Sequence, residues 1–288
     1  MAAPKEEQDQ EQEPVTVASS NGVQIAVHDL GGHGAPLLIS HATGFHGRCY
    51  LPIATALSDR FHTVAFDYRG HGDTAQPDGV AVNWNRYGDD AVAMAESLAQ
   101  QAGTPITAFG HSMGGACLLM AAYRRPELFS RLVLFEPIVP AADYQTIGDG
   151  SSPMVKGALA RRTTFASYDE ALANYASKPP LSIMTTEALW AYVHYGFRQD
   201  SDGVHLKCRP QIEAETFMTG GAHDTFQVLH EITTPTLVLT GAVSPHQPSD
   251  MAGPIAQRLP NGTLHSDDHM THFGPMSHPA QVGQLIAG

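Results

Sequence analysis

Between an apolar run, Pro105-Ile106-Thr107-Ala108-Phe109, and a helix-forming one, Ala116 to Tyr123, the chain must reverse direction over Gly110-His111-Ser112-Met113-Gly114-Gly115. Apolar residues stopped by glycine and followed by alanine, leucine and methionine read as strand, sharp corner and helix, with Ser112 at the corner. Glycines flank the serine because a Cβ at 110 or 114 would collide where the chain turns so tightly. A serine held this way projects from the backbone beside the free N–H groups that open a helix, and those groups can hold the oxyanion that its attack creates. The stretch therefore predicts a nucleophilic serine at the end of a sheet strand.

A chain of 288 residues can bury a full α/β core with one sizeable insertion, but not two independent domains. The formal charge of −13, without a basic stripe, excludes a phosphate-neutralising surface and hence nucleic acid as a partner. Residues 1–14 carry Lys5 against Glu6, Glu7, Asp9, Glu11 and Glu13, and are expected to form a disordered acidic tail. No apolar run is long enough to span a membrane, and the start lacks the basic-then-apolar pattern of a secretory leader, so a soluble, cytoplasmic protein is expected. Cys49, Cys117 and Cys208 are odd in number and in no Cys-x-x-Cys pair, which fits buried thiols rather than disulfides or a metal site. Nothing in the pattern sets an oligomeric state.

Strand and helix signals alternate over most of the chain. Val23–Asp29 alternates like an edge strand; Leu37–Ser40 is apolar throughout and ends in the loop His41-Ala42-Thr43-Gly44-Phe45-His46-Gly47. A helix at Cys49–Leu57, a strand at Thr63–Phe66 and the turn Asp67-Tyr68-Arg69-Gly70-His71-Gly72-Asp73 follow, the charges of Asp67 and Arg69 being read as locks on that turn. Arg86–Gln101 has helical spacing, and Arg131–Phe135 is the next strand before Glu136-Pro137. Between Val139 and Thr234 the rhythm breaks into helical segments rich in aromatics, among them Tyr144, Phe165, Tyr168, Tyr175, Trp190, Tyr192, Tyr195 and Phe197. It resumes with a strand at Pro235–Thr240, a helix near Met251–Arg258, a strand at Gly262–His265 and a closing helix from Pro279. The expected organisation is an α/β core over 15–138 and 232–288, with a helical cap inserted at 139–231.

Four motifs placed in this order, His41-Ala42-Thr43-Gly44, Asp67-Tyr68-Arg69-Gly70-His71-Gly72, Gly110-His111-Ser112-Met113-Gly114-Gly115 and His272-Phe273 ahead of Pro279, make the chain resemble the α/β-hydrolase superfamily in its capped, serine-nucleophile branch. The resemblance covers 21–137 and 232–288. It implies a mostly parallel eight-stranded sheet flanked by helices, with Ser112 as nucleophile and the Met113 N–H as one oxyanion donor. The other donor is then Thr43, although alanine stands at 42 where the family usually has glycine. Of sixteen histidines, His265, His269, His272 and His278 come last in the chain, and His272 has the family's spacing to the closing helix, which makes it the base. A metal cluster of His265, Asp268, His269 and His272 is the competing reading, but it lacks a His-Glu-x-x-His frame, so no metal is expected.

The family commonly sets an aspartate three residues beyond the glycine that ends the seventh strand, and this chain has Ser244 there. A serine carries no charge to stabilise an imidazolium. Some relatives, fungal lactonases among them, take the acid from the end of the sixth strand, where Glu136 stands; Asp250, Asp267 and Asp268 are the alternatives. By resemblance the activity is hydrolysis of a small-molecule carboxylic ester or lactone through an acyl-enzyme, without a cofactor. The aromatics of the cap are expected to roof an apolar pocket, with Trp190 and Tyr195 as substrate contacts. The rivals are a carbon–carbon bond hydrolase, whose members usually carry asparagine and tryptophan where this chain has His111 and Phe273, and a non-catalytic ligand-binding protein on the same fold.

Overall fold

The computed structural model describes residues 15–141 and 148–288; the expected acidic tail over 1–14, and Tyr144 of the expected cap, lie outside them. The chain opens with β1 (Thr16–Ala18), β2 (Gln24–Asp29), β3 (Ala35–Ser40), α1 (Leu51–Ala56), β4 (Phe61–Phe66), α2 (Trp84–Ala102), β5 (Ile106–His111), α3 (Met113–Arg124) and β6 (Phe129–Phe135). An inserted region follows: α4 (Pro153–Leu159), β7 (Thr164–Phe165), α5 (Tyr168–Ala176), α6 (Thr186–Gly196), β8 (Phe197–Asp200), β9 (Gly203–Leu206), α7 (Pro210–Met218) and α8 (Thr225–Val228). The core closes with β10 (Thr236–Thr240), α9 (Pro248–Arg258), β11 (Gly262–Ser266), α10 (Gly274–Ser277) and α11 (Pro279–Ala287).

Eight strands form one twisted sheet in the order β1-β2-β4-β3-β5-β6-β10-β11, parallel except for β2, which runs antiparallel to both neighbours. This is the α/β-hydrolase arrangement. Its centre is buried on both faces, which is why β3 reads as an unbroken apolar run: Leu37 and Ile39 join one core cluster with Phe61, Phe109 and Val133, while Leu38 joins the other with Val64 and Phe66. Val23–Asp29, expected as an edge, is second from the edge, because the three-residue β1 pairs outside it. Three residues are too few to show alternation in sequence.

The insertion leaves after β6 and returns at β10, and those two strands are hydrogen-bonded neighbours, Leu132 opposite Thr236. It is mainly helical, but β7, β9 and β8 add a small antiparallel sheet to it. The hairpin of β8 and β9 turns over Ser201-Asp202, where Asp200 Oδ1 accepts the Asp202 N–H (2.9 Å) and Gly203 takes φ 137°. Asp-Ser-Asp-Gly between alternating residues is a local turn signal for this hairpin, within a region whose aromatic, helical spacing dominates. Phe165, Tyr175 and Tyr192 of the insertion merge with the core on the Leu37 face. Polar ties pin it elsewhere: Lys207 to Asp73 (2.6 Å), and Trp84 Nε1–H to the Thr216 carbonyl (3.1 Å).

Asp67 locks its turn through Asp73 but also ties it to β2 and to the loop after β3. Its carboxylate accepts the N–H groups of Gly47 (2.7 Å) and Asp73 (2.8 Å) and the His28 Nε2–H (2.8 Å); His28 above all holds its pKa below the ordinary carboxylate range despite burial. Arg69 likewise reaches beyond a purely local lock, across to Asp90 of α2 in a buried ion pair (2.5 Å).

Burial holds His41 down to about 3, and His46 and His71 down to about 4, from an ordinary 6.5. They stay neutral in the fold yet titrate near 6.5 once unfolded, so the unfolded chain binds more protons in the acid range. Stability should be intact above pH 6.5 and fall as pH drops toward 4, each histidine contributing a slope approaching ~1.4 kcal/mol per pH unit. Urea unfolding at pH 7, 6 and 5 measures this; equal stability at all three would mean that these histidines ionise freely in the fold.

Candidate active site

Five segments meet at the carboxyl ends of β3, β5, β6 and β10, the edge where open α/β sheets bind ligands. Ser112 stands between β5 and α3 with φ 56° and ψ −115°, a strained conformation for a residue with a side chain. Main-chain bonds enforce it: the Ser112 N–H donates to the Phe135 carbonyl (2.9 Å), and the Ser112 carbonyl accepts the Ile138 N–H (3.2 Å). A Cβ on Gly114 would lie 2.2 Å from the Ser40 carbonyl oxygen, and one on Gly110 would lie 2.7 Å from Gly115 Cα. Packing against β3 excludes a side chain at 114, and the corner's own fold-back onto the start of α3 excludes one at 110. Among the described residues the Ser112 hydroxyl has no hydrogen-bond partner.

Glu136 follows β6 with φ 43°, a second strained residue, and is 1% exposed. Its Oε1 accepts the Thr240 hydroxyl (3.1 Å) and the Gly241 N–H (2.9 Å), both from the end of β10. Its Oε2 accepts the His272 Nδ1–H at 2.6 Å. A carboxylate saturated in this way fixes the imidazole ring with Nδ1–H toward Glu136, so the neutral tautomer it selects has Nε2 bare, the one a general base requires. His272 sits in the loop between β11 and α10, and its ring lies 5.0 Å from that of His111, the residue before Ser112. Of the other candidate acids, Asp250 accepts the His246 N–H (3.3 Å) at the exposed start of α9, Asp267 holds Gln281 (2.5 Å) and the His269 N–H (2.9 Å), and Asp268 is exposed.

The loop after β3 carries Thr43. The Ala42 carbonyl accepts from His41 Nδ1–H (2.8 Å) and the Phe45 N–H (3.1 Å), which fixes the plane of the Ala42–Thr43 peptide. A trans peptide then points the Thr43 N–H the opposite way, and among the described residues it has no acceptor. Met113 opens α3, so its N–H precedes the first intrahelical bond. The alanine at 42 is no obstacle, since the left-handed residue of this loop is Gly44 (φ 76°), where a Cβ would meet Glu213 Oε1 at 2.4 Å.

The cap residues fall differently from expectation. Trp190 is 45% exposed and stacks on His194, and Tyr195 lies under Arg48, on the outward side of α6. The inward aromatic is Tyr192, whose ring packs 5.3 Å from Phe45, which in turn meets Phe273 at 6.0 Å. Its position was readable: Ala188, Leu189, Tyr192, Val193 and Gly196 follow helical spacing and are all buried. Arg161 donates to the Tyr192 hydroxyl (2.7 Å) and pairs with the buried Glu213 (3.2 Å), placing a compensated charge pair beside Gly44.

Among the described residues one group, His28, Asp67 and Asp73, is compact enough to hold a metal. It does not fit one, because His28 already donates to Asp67, two N–H groups take the remaining Asp67 positions, and Lys207 holds Asp73. His265, Asp267, Asp268 and His269 line an open surface groove, while His272 is committed to Glu136.

Residues 31–273 match the family described as serine aminopeptidase, S33. The chain belongs to that family. It is a hydrolase of the α/β fold. A relative, the (E)-2-((N-methylformamido)methylene)succinate hydrolase of Acinetobacter baylyi, is 21% identical over 255 residues, 88% of this chain and 90% of that protein. Among solved structures, E-2-(acetamidomethylene)succinate hydrolase superposes with a TM-score of 0.76 at 20% identity, covering 95% of this chain and 98% of that one. An esterase from Rhodococcus sp. ECU1013 superposes with a TM-score of 0.72 at 18% identity, covering 96% and 98%. At such identities the two superpositions bear on the fold.

The packing of the corner gives a direct test. Gly114→Ala should cost about 3 kcal/mol or more, since its Cβ meets backbone rather than a movable side chain. Gly157→Ala, in α4 with nothing near its Cβ, should gain up to about 1 kcal/mol. Urea unfolding of both variants reads the contrast, and a harmless Gly114→Ala would mean that the corner is looser than described.

Proposed function

We propose that the protein is a serine hydrolase of carboxylic esters or lactones that works through an acyl-enzyme, with Ser112 as nucleophile, His272 as base and Glu136 as its acid partner. The observation that carries this reading is the 2.6 Å bond from His272 Nδ1 to a carboxylate at the end of β6, beside a strained serine. His272 Nε2 takes the Ser112 proton as the hydroxyl attacks the acyl carbon, and Glu136 stabilises the imidazolium that results. The Thr43 and Met113 N–H groups hold the oxyanion, His272 returns the proton to the leaving alkoxide, and water activated by the same imidazole releases the acid. Phe45, Tyr192 and Phe273 give the surroundings an aromatic, apolar character suited to an uncharged ester.

A second reading has one observation behind it. The relatives named for amidomethylene succinates act, by their names, on a dicarboxylate that carries an amide, and Arg161 is a mostly buried cation beside the Gly44 loop. Burial raises the pKa of Glu213 in spite of Arg161, so a proton on Glu213 would free the guanidinium for a substrate carboxylate. With Glu213 ionised the pair is neutral, which favours the ester.

A fluorophosphonate should label the parent at Ser112 and leave Ser112→Ala unlabelled. On p-nitrophenyl butyrate, Glu136→Gln should lose about 100-fold or more in kcat, whereas Asp250→Asn should stay near the parent. Full activity of Ser112→Ala would sink the mechanism, and the reverse order of the two acid variants would move the acid to the β10 loop. Faster turnover of 2-(acetamidomethylene)succinate than of any neutral ester would select the second reading.

A further inference from the structure

His111 and Tyr50 are buried, polar and absent from the mechanism above, yet all their polar atoms are engaged. The Ala42 N–H donates to the Tyr50 hydroxyl (3.1 Å), which lies 2.9 Å from His111 Nδ1, and His111 Nε2 lies 2.8 Å from the His272 carbonyl oxygen. One assignment of protons satisfies this set. A carbonyl only accepts, so His111 Nε2 carries hydrogen. Burial, and after it the nearby His272, depress the His111 pKa well below 6.5, so the ring is neutral and Nδ1 is bare. Tyr50 therefore donates to Nδ1, which leaves its oxygen to receive the Ala42 N–H. In the other neutral tautomer a bare Nε2 would face the lone pairs of the His272 carbonyl at 2.8 Å.

Building on the reading of Ser112 and His272 given above, we propose that Tyr50 and His111 are positioning residues, forming one directed hydrogen-bond chain from the oxyanion loop at Ala42 to the main chain of His272. His272 is thereby held at two points, its ring by Glu136 and its carbonyl by His111. The same chain fixes the Ala42 N–H, while His41 and the Phe45 N–H fix the Ala42 carbonyl, so the peptides on both sides of this residue are oriented. The two loops that hold the oxyanion and move the proton are set relative to each other through the residue beside the nucleophile. Glutamine superimposes an N–H donor near Nε2 of a histidine but offers nothing at Nδ1, whereas phenylalanine keeps the ring and removes both.

The test is the kinetics of fluorophosphonate labelling in the parent, Tyr50→Phe, His111→Phe and His111→Gln, with thermal midpoints measured alongside. Tyr50→Phe and His111→Phe should lower the maximal labelling rate about 10-fold or more while the half-saturating concentration stays near parental, because orientation is lost rather than binding. His111→Gln, which regains the bond to His272 but not the one to Tyr50, should fall between His111→Phe and the parent. Parental maximal rates in both phenylalanine variants, or a loss that glutamine does not rescue and that follows the thermal midpoint, overturn the chain and make it packing. A parent that does not label at Ser112 overturns the serine mechanism and the chain together. If Tyr50→Phe fails to fold, the two His111 variants decide by the same comparison.

Discussion

A carboxylate buried to 1% exposure must have its oxygens occupied, and Glu136 is placed so that the sheet itself occupies them. Two donors from the end of β10 take one oxygen, and the imidazole of His272 takes the other. That requires β6 and β10 to be neighbours in register, with Glu136 bent into a left-handed conformation past the last strand residue. The same strand end, through the Phe135 carbonyl, holds Ser112 in its own strained conformation. Two unfavourable backbone conformations thus share one support, the parallel pairing of β5, β6 and β10. Each strained residue costs of order 1–3 kcal/mol, which the surrounding core burial must offset.

Chemistry at such a site depends on which protons face which way, and here the protein dictates that through groups of fixed polarity. Carbonyls accept and amide N–H groups donate, so His41, His111 and His272, each touching at least one group of fixed sense, have a single sensible tautomer. Low dielectric surroundings keep His41 and His111 neutral, which makes their roles insensitive to pH across the ordinary range. The site is therefore set by neutral hydrogen bonds, with the charge of Glu136 at one end.

The main architecture was legible because its signals are local. The Gly110–Gly115 corner, the short apolar run of β3 between turn residues and the strand ending at Glu136 each carry their signal within a few residues. Glu136 was found as a candidate because Ser244 left the usual place empty, and a missing charge is visible in sequence. What was not legible depends on pairs distant in the chain. β1 exists because a partner strand is present, and Arg69 meets Asp90 only once α2 packs on the turn. Trp190 and Tyr195 were chosen for aromatic character, but rotation about α6 decides which ring faces inward, and the buried stripe through Tyr192 sets that rotation. The chain through Tyr50 and His111 joins three separate loops, and no spacing in the sequence encodes it.

The cap departs from β6 and rejoins at β10, strands that lie side by side, so its two roots are close together in space. An inserted segment with roots this close can be replaced without unthreading the sheet. Glu136 stands at the very root of the departing segment, with Pro137 next to it and packed against Gly115 of the corner. Graft boundaries in this chain are therefore constrained on one side. A transplanted cap joined after residue 139 leaves the carboxylate and its strained backbone untouched, whereas a join two or three residues earlier carries the donor's geometry into the charge that faces the imidazole. Replacement of the inserted segment and preservation of the Glu136–His272 bond are separable here only downstream of that root.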